Sequence, residues 1–415
     1  MKKYVLITWG IAGIGGGQYY TLNRCNYYRD HGYRVYICHL LQGKVLLKEL
    51  NDYNHLYIPE LRFEVTAFSK HRVRRIIKKI QLFIQHKTSD EVLVESNSIA
   101  QAQWAELLAK SISSKHFFYI LGEHDKVNNT ITSSFAEFKL KRGELAGITE
   151  CSIPNLFNGR LKIENGEKFH VSAPVFITVV DYLFPSLENL SPVDYTIGVM
   201  ARLEKMFVLP TLKSLVEFCD KHQESTFRVI VAGDTEKPGI KEHIKSLFRD
   251  CNNTTLLMTG YMSPIPKKYA EVCDLCISSS GCASITNMEG TLTISIDAKD
   301  CKPIGILGFT TKESVYRKDE PVVLLEDLLY ETLVEKKYPF HREAKVKDYT
   351  LDDLMNKEVA YISHSSTEKE YFDFSEAFTW KNRKRGIKER LFQFVTETFG
   401  QNAIRFIHNL HHLTN

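Results

Sequence analysis

Glu289 and Asp297 stand eight positions apart in the stretch Cys276 to Gly305, CISSSGCASITNMEGTLTISIDAKDCKPIG. A short apolar run before them, Leu275 to Ile277, reads as a buried strand ending in a Ser/Gly turn. Thr291 is a good N-cap type, so a helix is expected to start there. Glu289 then lies in the loop before the helix and Asp297 about two turns in. The first amides of such a helix lack internal partners and carry positive dipole charge. A phosphate fits there, beside Gly290, Thr291 and Leu292, with an acid on each side for sugar hydroxyls. That is a seat for a nucleotide-sugar.

The elements that must position it are strands, glycine turns and helices in alternation. Tyr4 to Trp9 reads as a strand, Gly10 to Gly17 as a glycine-rich loop, Gln18 to His31 as a helix with a Gly32 stop, and Arg34 to His39 as the next strand. This is a Rossmann-like opening. The loop GIAGIGGG mimics a dinucleotide fingerprint. An NAD site would want an acid at the end of the second strand for the ribose, where the chain has Cys38-His39-Leu40. Further strands are expected at Val92 to Glu95, Phe117 to Leu121 and Ala146 to Thr149. The middle one ends in Gly122-Glu123-His124-Asp125, at a strand terminus where open α/β sheets hold ligands. Glu123 or Asp125 could serve there as an acceptor-side base. FPSLENLSP, residues 184–192, reads as an interdomain linker. Tyr195 to Met200 then restarts the strand pattern, followed by Ala201-Arg202-Leu203-Glu204-Lys205.

These motifs resemble those of retaining glycosyltransferases of family 4 (group 1 type). Glu289 and Asp297 fall on the two acids of that family's E-x7-E region. Here the second acid is Asp, and the usual G-F-G-x-P is replaced by Gly290-Thr291-Leu292-Thr293-Ile294. Ala201 to Lys205 resembles G-R-L-x-x-x-K, with Ala for the first Gly and Lys205 about two positions early. Gly233-Asp234, Gly260-Tyr261-Met262 and the helix over Lys267 to Ala270 keep the family's order. Gly15, Gly16 and Gly17 resemble its N-terminal loop. The resemblance implies an α/β chain of GT-B architecture, two Rossmann-like domains facing across a cleft, with a C-terminal helix crossing back to the first. The implied domains are 1–186, acceptor-binding; 187–365, donor-binding; and 366–415, helices packing back. It implies that Arg202 and Lys205 grip a donor diphosphate, Arg as a bidentate partner and Lys as a point charge. It also implies that Glu289 holds donor sugar hydroxyls, Asp297 the ribose, and His124 the region near the anomeric carbon. Gly16 and Gly17 would let the backbone approach donor and acceptor.

Composition bounds the rest. A chain of 415 residues is too long for one ordinary core. Its formal charge of +4 does not argue for nucleic acid. Nine scattered cysteines without a spacing framework suggest reduced cytosolic thiols. Lys2 and Lys3 precede an apolar run, but Trp9-Gly10 interrupts it and no cleavage site follows, so a first strand explains it better than a signal peptide. No apolar run approaches the ~20 residues of a spanning helix. Lys70 to Lys87, KHRVRRIIKKIQLFIQHK, holds seven Lys/Arg and no acid, with Val73, Ile76, Ile77, Ile80 and Phe83 at helical spacing. It reads as a basic amphipathic helix, either a solvated face or a contact with an anionic membrane or a phosphate-bearing lipid acceptor. No D-x-D triplet occurs, so no metal is expected, and no cofactor beyond the donor. The expected protein is cytoplasmic, or peripheral at the inner membrane face. The family resemblance implies that it moves a sugar from a nucleotide-sugar to a glycan or lipid-linked acceptor with retention, in polysaccharide biosynthesis. The alternatives are a nucleotide-sugar 2-epimerase of the same plan, a non-catalytic carbohydrate-binding relative, and an NAD-dependent oxidoreductase.

Overall fold

A computed structural model of the chain describes residues 1–122, 125–171, 179–345, 350–366 and 368–378. Glu123, His124 and the helical tail expected over 381–415 lie outside the described residues. The chain divides into two units, Met1–Phe176 with Tyr349–Asn415, and Ile177–Asp348.

The first unit alternates β1 (Lys2–Thr8), α1 (Gly16–Asp30), β2 (Arg34–His39), β3 (Asn54–Tyr57), α2 (Lys70–Phe83), β4 (Glu91–Ser96), α3 (Ile99–Ile112), β5 (Lys115–Ile120), α4 (Thr130–Lys141), β6 (Leu145–Gly147) and α5 (Ser152–Phe157). Its six strands form one parallel sheet in the order β3-β2-β1-β4-β5-β6. A parallel sheet must be covered on both faces, so its central strands bury residues of both faces, most of them apolar. Val5 and Ile7 join a core with Trp104 and α2, whereas Tyr4 and Leu6 join a second core with α1. The basic helix forms as its spacing predicts. Val73, Ile76, Ile77 and Ile80 are buried, and the Ser69 hydroxyl accepts from the Arg72 amide at the N-cap.

The second unit begins with β7 (Val179–Val180). It continues through β8 (Tyr195–Met200), α6 (Val208–Lys221), β9 (Phe227–Ala232), α7 (Ile240–Leu247), β10 (Thr254–Gly260), β11 (Ile265–Pro266), α8 (Lys267–Val272), β12 (Leu275–Ser278), α9 (Ser280–Met288), β13 (Leu292–Ile296), β14 (Pro303–Ile306) and α10 (Leu325–Leu329). Six strands again make one sheet, β10-β9-β8-β12-β13-β14, with only β14 antiparallel to its neighbour. The helix expected from Thr291 is strand β13, and the helix of this stretch, α9, precedes it.

The unit boundaries differ from 186/187 and 365/366 for two physical reasons. At the first, Val179–Val180 pairs with Ile265–Pro266 and the Tyr182 hydroxyl donates to the Pro264 carbonyl, tying this stretch to the second unit. At the second, α11 (Leu351–His364) is already packed on the first unit. Its Glu358 pairs with Arg24 of α1, whose Nε lies 2.9 Å from Oε1 of Glu95 on β4. All three side chains are fully buried. The Tyr4 and Tyr20 hydroxyls donate to the two oxygens of Glu95, and the guanidinium lies 4.2 Å from the Tyr20 ring centre. Farther along, the Phe372 amide donates to Glu106, which also meets Lys139 at 3.1 Å and His116 at 2.8 Å.

Two carboxylates therefore share one guanidinium in a dry core. Burial pushes the Glu358 carboxyl up to about 7; Arg24 opposes the rise and Glu95 adds to it. A carboxyl that holds its proton more tightly folded than unfolded stabilises the fold below its unfolded pKa. That contribution disappears as pH rises through the folded pKa, here about 7. The melting temperature of the natural chain, relative to Glu358→Gln, is thus expected to fall between about pH 5 and pH 8. A constant difference across that range in calorimetry would refute it. Arg24→Met leaves both acids unpaired and should cost roughly 3–5 kcal/mol in urea unfolding.

Candidate functional site

In each sheet the strand order reverses beside its first strand. The crevice that such a reversal opens lies outside the carboxyl ends of β1 and β4 in the first unit, and of β8 and β12 in the second.

The second of these gathers positive charge. Arg202 stands two residues beyond β8, with 47% of its side chain exposed and Nη1 3.4 Å from Glu204. An exposed pair of this kind is worth about 0–1 kcal/mol, so the guanidinium is readily diverted to a phosphate. Gly233, after β9, presses against this turn: a Cβ there would fall 1.7 Å from the Ala201 carbonyl oxygen. The Tyr261 hydroxyl, after β10, is pushed up by burial, with Glu204 and Asp234 adding and Arg202 opposing. Lys205 is exposed, and its charge acts on the Cys282 thiol in the first turn of α9, which burial pushes up.

The α9 terminus is built to be open. Ser279 is the N-cap, yet no side chain caps the helix, and the buried Ser279 Oγ has no partner. Ser280 sits at φ 58, a left-handed conformation that costs a non-glycine residue about 1–3 kcal/mol and concentrates at functional sites. Gly281 is exposed, with nothing within 4 Å of a Cβ placed on it. The Ser280 amide donates to the Ser314 carbonyl, so the amides of Gly281 and Cys282 are the ones left open. They, the helix dipole, Arg202 and Lys205 share one edge of the sheet, which suits a multiply charged anion.

The predicted acid-bearing seat is not assembled. Glu289 is the C-cap of α9, at the opposite edge of the sheet from Arg202. The five residues of β13 separate it from Asp297 by roughly 17 Å at about 3.3 Å each. Gly290, at φ 91, is a packing glycine whose Cβ would lie 2.2 Å from the Arg342 carbonyl oxygen. Thr291 and Leu292 are fully buried, and the Thr291 hydroxyl donates to the Ala270 carbonyl. None of these four can touch a ligand bound beside Arg202. Asp297 does lie on the correct edge, but its carboxylate is occupied. Oδ1 accepts from the amides of Lys299 and Asp300, and Oδ2 accepts from Arg317 at 2.7 Å. It holds a loop together and has no free oxygen aimed at a ribose. The sequence points to glycine turns near 260 and 281 as places for backbone amides to meet a nucleobase and diphosphate; Ser279 and Ser280, beside the second turn, are not singled out by it. Their signal was Ser-Ser-Ser-Gly ahead of a helical run that Gly290 stops.

In the first unit, Gly16 and Gly17 are exposed in the first turn of α1, which likewise has no side-chain cap. A Cβ on either would meet nothing within 4 Å.

Neither a protein-family model nor a curated protein matches this chain. Solved structures do. Alr3699/HepE of Anabaena in complex with UDP is 11% identical, over 94% of this chain and 99% of its own, with a TM-score of 0.50. This chain has the GT-B fold. A glycosyltransferase from Rickettsia africae ESF-5 is 18% identical over 99% and 97%, at a TM-score of 0.49. The UDP-GlcNAc 2-epimerase of Neisseria meningitidis bound to UDP-GlcNAc is 13% identical over 88% and 100%, at 0.44.

Because the buried Asp297 carboxylate accepts from three backbone amides, Asp297→Ala should cost about 1–3 kcal/mol in chemical unfolding. Glu289→Gln, by contrast, should change stability by less than about 0.5 kcal/mol. Equal losses in the two variants would contradict these placements.

Proposed function

We propose that the chain is a glycosyltransferase that binds a nucleoside-diphosphate sugar at the carboxyl edge of its second sheet. One observation carries this reading: the uncapped, glycine-opened N-terminus of α9 shares that edge with Arg202 and Lys205. The pyrophosphate seats on the α9 amides. Arg202 takes a phosphate through two parallel hydrogen bonds, and Lys205 adds a point charge. Tyr261 offers a ring beside the same turn for the base. HepE, which shares the fold, was solved with UDP, so uridine is the first base to test.

The chemistry follows from the charge. As the glycosidic bond to the diphosphate breaks, negative charge grows on the leaving oxygens, and preformed amides and cations stabilise it most at that moment. The sugar becomes oxocarbenium-like, and an acceptor hydroxyl attacks from the face the diphosphate left, passing its proton to the departing phosphate oxygen, which retains configuration. The donor supplies the leaving group, and no further cofactor enters. Glu289 and Asp297 have no part in this step.

The exposed face of α2 supports a lipid-linked acceptor in polysaccharide assembly. Arg74, Arg75, Lys78 and Lys79 are exposed and pair with no acid among the described residues, and Leu82 beside them is 67% exposed. Such a face attracts an anionic bilayer at roughly 1 kcal/mol per cation. No helix among the described residues is long and apolar enough to cross a membrane.

Calorimetric titration with UDP, GDP, ADP and dTDP sugars tests the donor site. Arg202→Ala should weaken the preferred donor by about tenfold or more, the value of one lost charged hydrogen-bonded contact. Lys205→Ala should weaken it less, and Glu289→Ala not at all. If no nucleotide binds, or Arg202→Ala binds as the natural chain does, the reading falls. Release of an epimerised sugar nucleotide without any acceptor would replace transfer with epimerisation.

A further inference from the structure

We propose that Trp9 is the stacking platform of a saccharide subsite on the first unit, with Asn97 reading the hydroxyls of the same ring. This rests on the transferase reading for its role as the acceptor site, though not for its chemistry.

Trp9 directly follows β1, at the sheet's reversal point, and is 50% exposed. No aromatic ring stacks on it among the described residues, and its indole N–H meets no acceptor there. Its backbone is nevertheless pinned: the Leu40 and Leu41 amides both donate to the Trp9 carbonyl, at 3.2 and 3.1 Å. Gly10 follows it where a Cβ would crowd Leu41 at 2.9 Å. The backbone that carries the indole is thus held in place, and the indole is an uncovered apolar plate at the sheet edge where folds of this type take ligands.

Asn97 stands on the other side of that crevice. The register pairs Ile7 with Ser96, so Asn97 follows β4 beside Thr8. It is only 4% exposed, yet neither its Nδ2 nor its Oδ1 has a partner. Buried amides are almost always paired, so an orphan amide at a ligand crevice points to a missing partner. An amide presents one donor and one acceptor side by side, which matches two neighbouring hydroxyls. The uncapped amides of Gly16 and Gly17 open onto the same end of the sheet.

A pyranose fits this combination: one face of C–H groups for the indole and an edge of hydroxyls for the amides. A nucleotide fits less well, since Trp9 to Gln18 contains no Lys or Arg to meet its phosphates.

Saturation-transfer NMR on the full chain, with methyl β-glucoside, maltose and diacetylchitobiose as probes, tests this. At least one probe should bind. Trp9→Ala should weaken it about tenfold or more, while Trp9→Phe keeps a measurable part. Asn97→Ala should also weaken it without lowering the melting temperature, because the amide it removes has no protein partner. UDP affinity, measured separately, should be unchanged in all three. The proposal is overturned if no probe binds the natural chain, if Trp9→Ala binds as well as Trp9, or if UDP displaces the saccharide through Trp9. Failure of UDP to bind at all would sink the donor reading while leaving the saccharide measurement to stand or fall alone.

Discussion

A parallel strand can rejoin its sheet only through a crossover, so every loop that leaves a strand's carboxyl end lies on one edge. Nearly all the functional geometry of this chain follows from that constraint. It places the turn after β8, the Gly233 turn and the start of α9 side by side, although about 80 residues of sequence separate the first from the last. It also forbids the partnership that the acid spacing invited. Glu289 ends a helix that runs away from the ligand edge, and Asp297 ends a strand that runs back to it. Two residues joined by one strand cannot flank one phosphate.

That failure had a readable cause. Thr291-Leu292-Thr293-Ile294-Ser295-Ile296 alternates polar and apolar residues and is rich in β-branched types, the pattern of a strand. Thr291 was weighed as a helix cap because its residue type suits one. The alternation over six positions is stronger evidence than one residue type, and it shifts the helix, and with it the proposed anion seat, one element upstream. Strand positions elsewhere were legible because buried parallel strands are largely apolar runs: Arg34–His39 and Tyr195–Met200 fall where the sequence puts them. Arg202 and Lys205 follow β8 as the sequence expects because the strand before them was placed correctly.

The return of the chain to the first unit was harder to see. Leu351–His364 carries Asp352, Asp353, Lys357 and Glu358, and reads as an ordinary exposed helix. Nothing local marks Glu358 as buried, since its partner Arg24 lies more than 300 residues away. A buried charge is a long-range fact: it can be tolerated only where a distant group compensates it. The expected boundary at 365/366 therefore came too late by one helix.

Hydrogen-bond saturation weighs on which polar groups could meet a ligand, although unpaired buried atoms also occur inside the scaffold, at Tyr36, Tyr269 and Ser295. Asp297 looks functional by type and position, yet three amides saturate it, and a saturated carboxylate has little to offer a ligand. Ser279 and Asn97 are unremarkable types, yet each follows a strand at the reversal point of its sheet with a buried polar atom left unpaired. Folding alone gives no reason to bury a donor or acceptor without a partner, because doing so costs about 1–3 kcal/mol. A bound pyrophosphate or sugar hydroxyl would recover that cost. The same groups that weaken the empty fold would thereby favour the occupied one, so ligand binding and stability should be coupled at both edges.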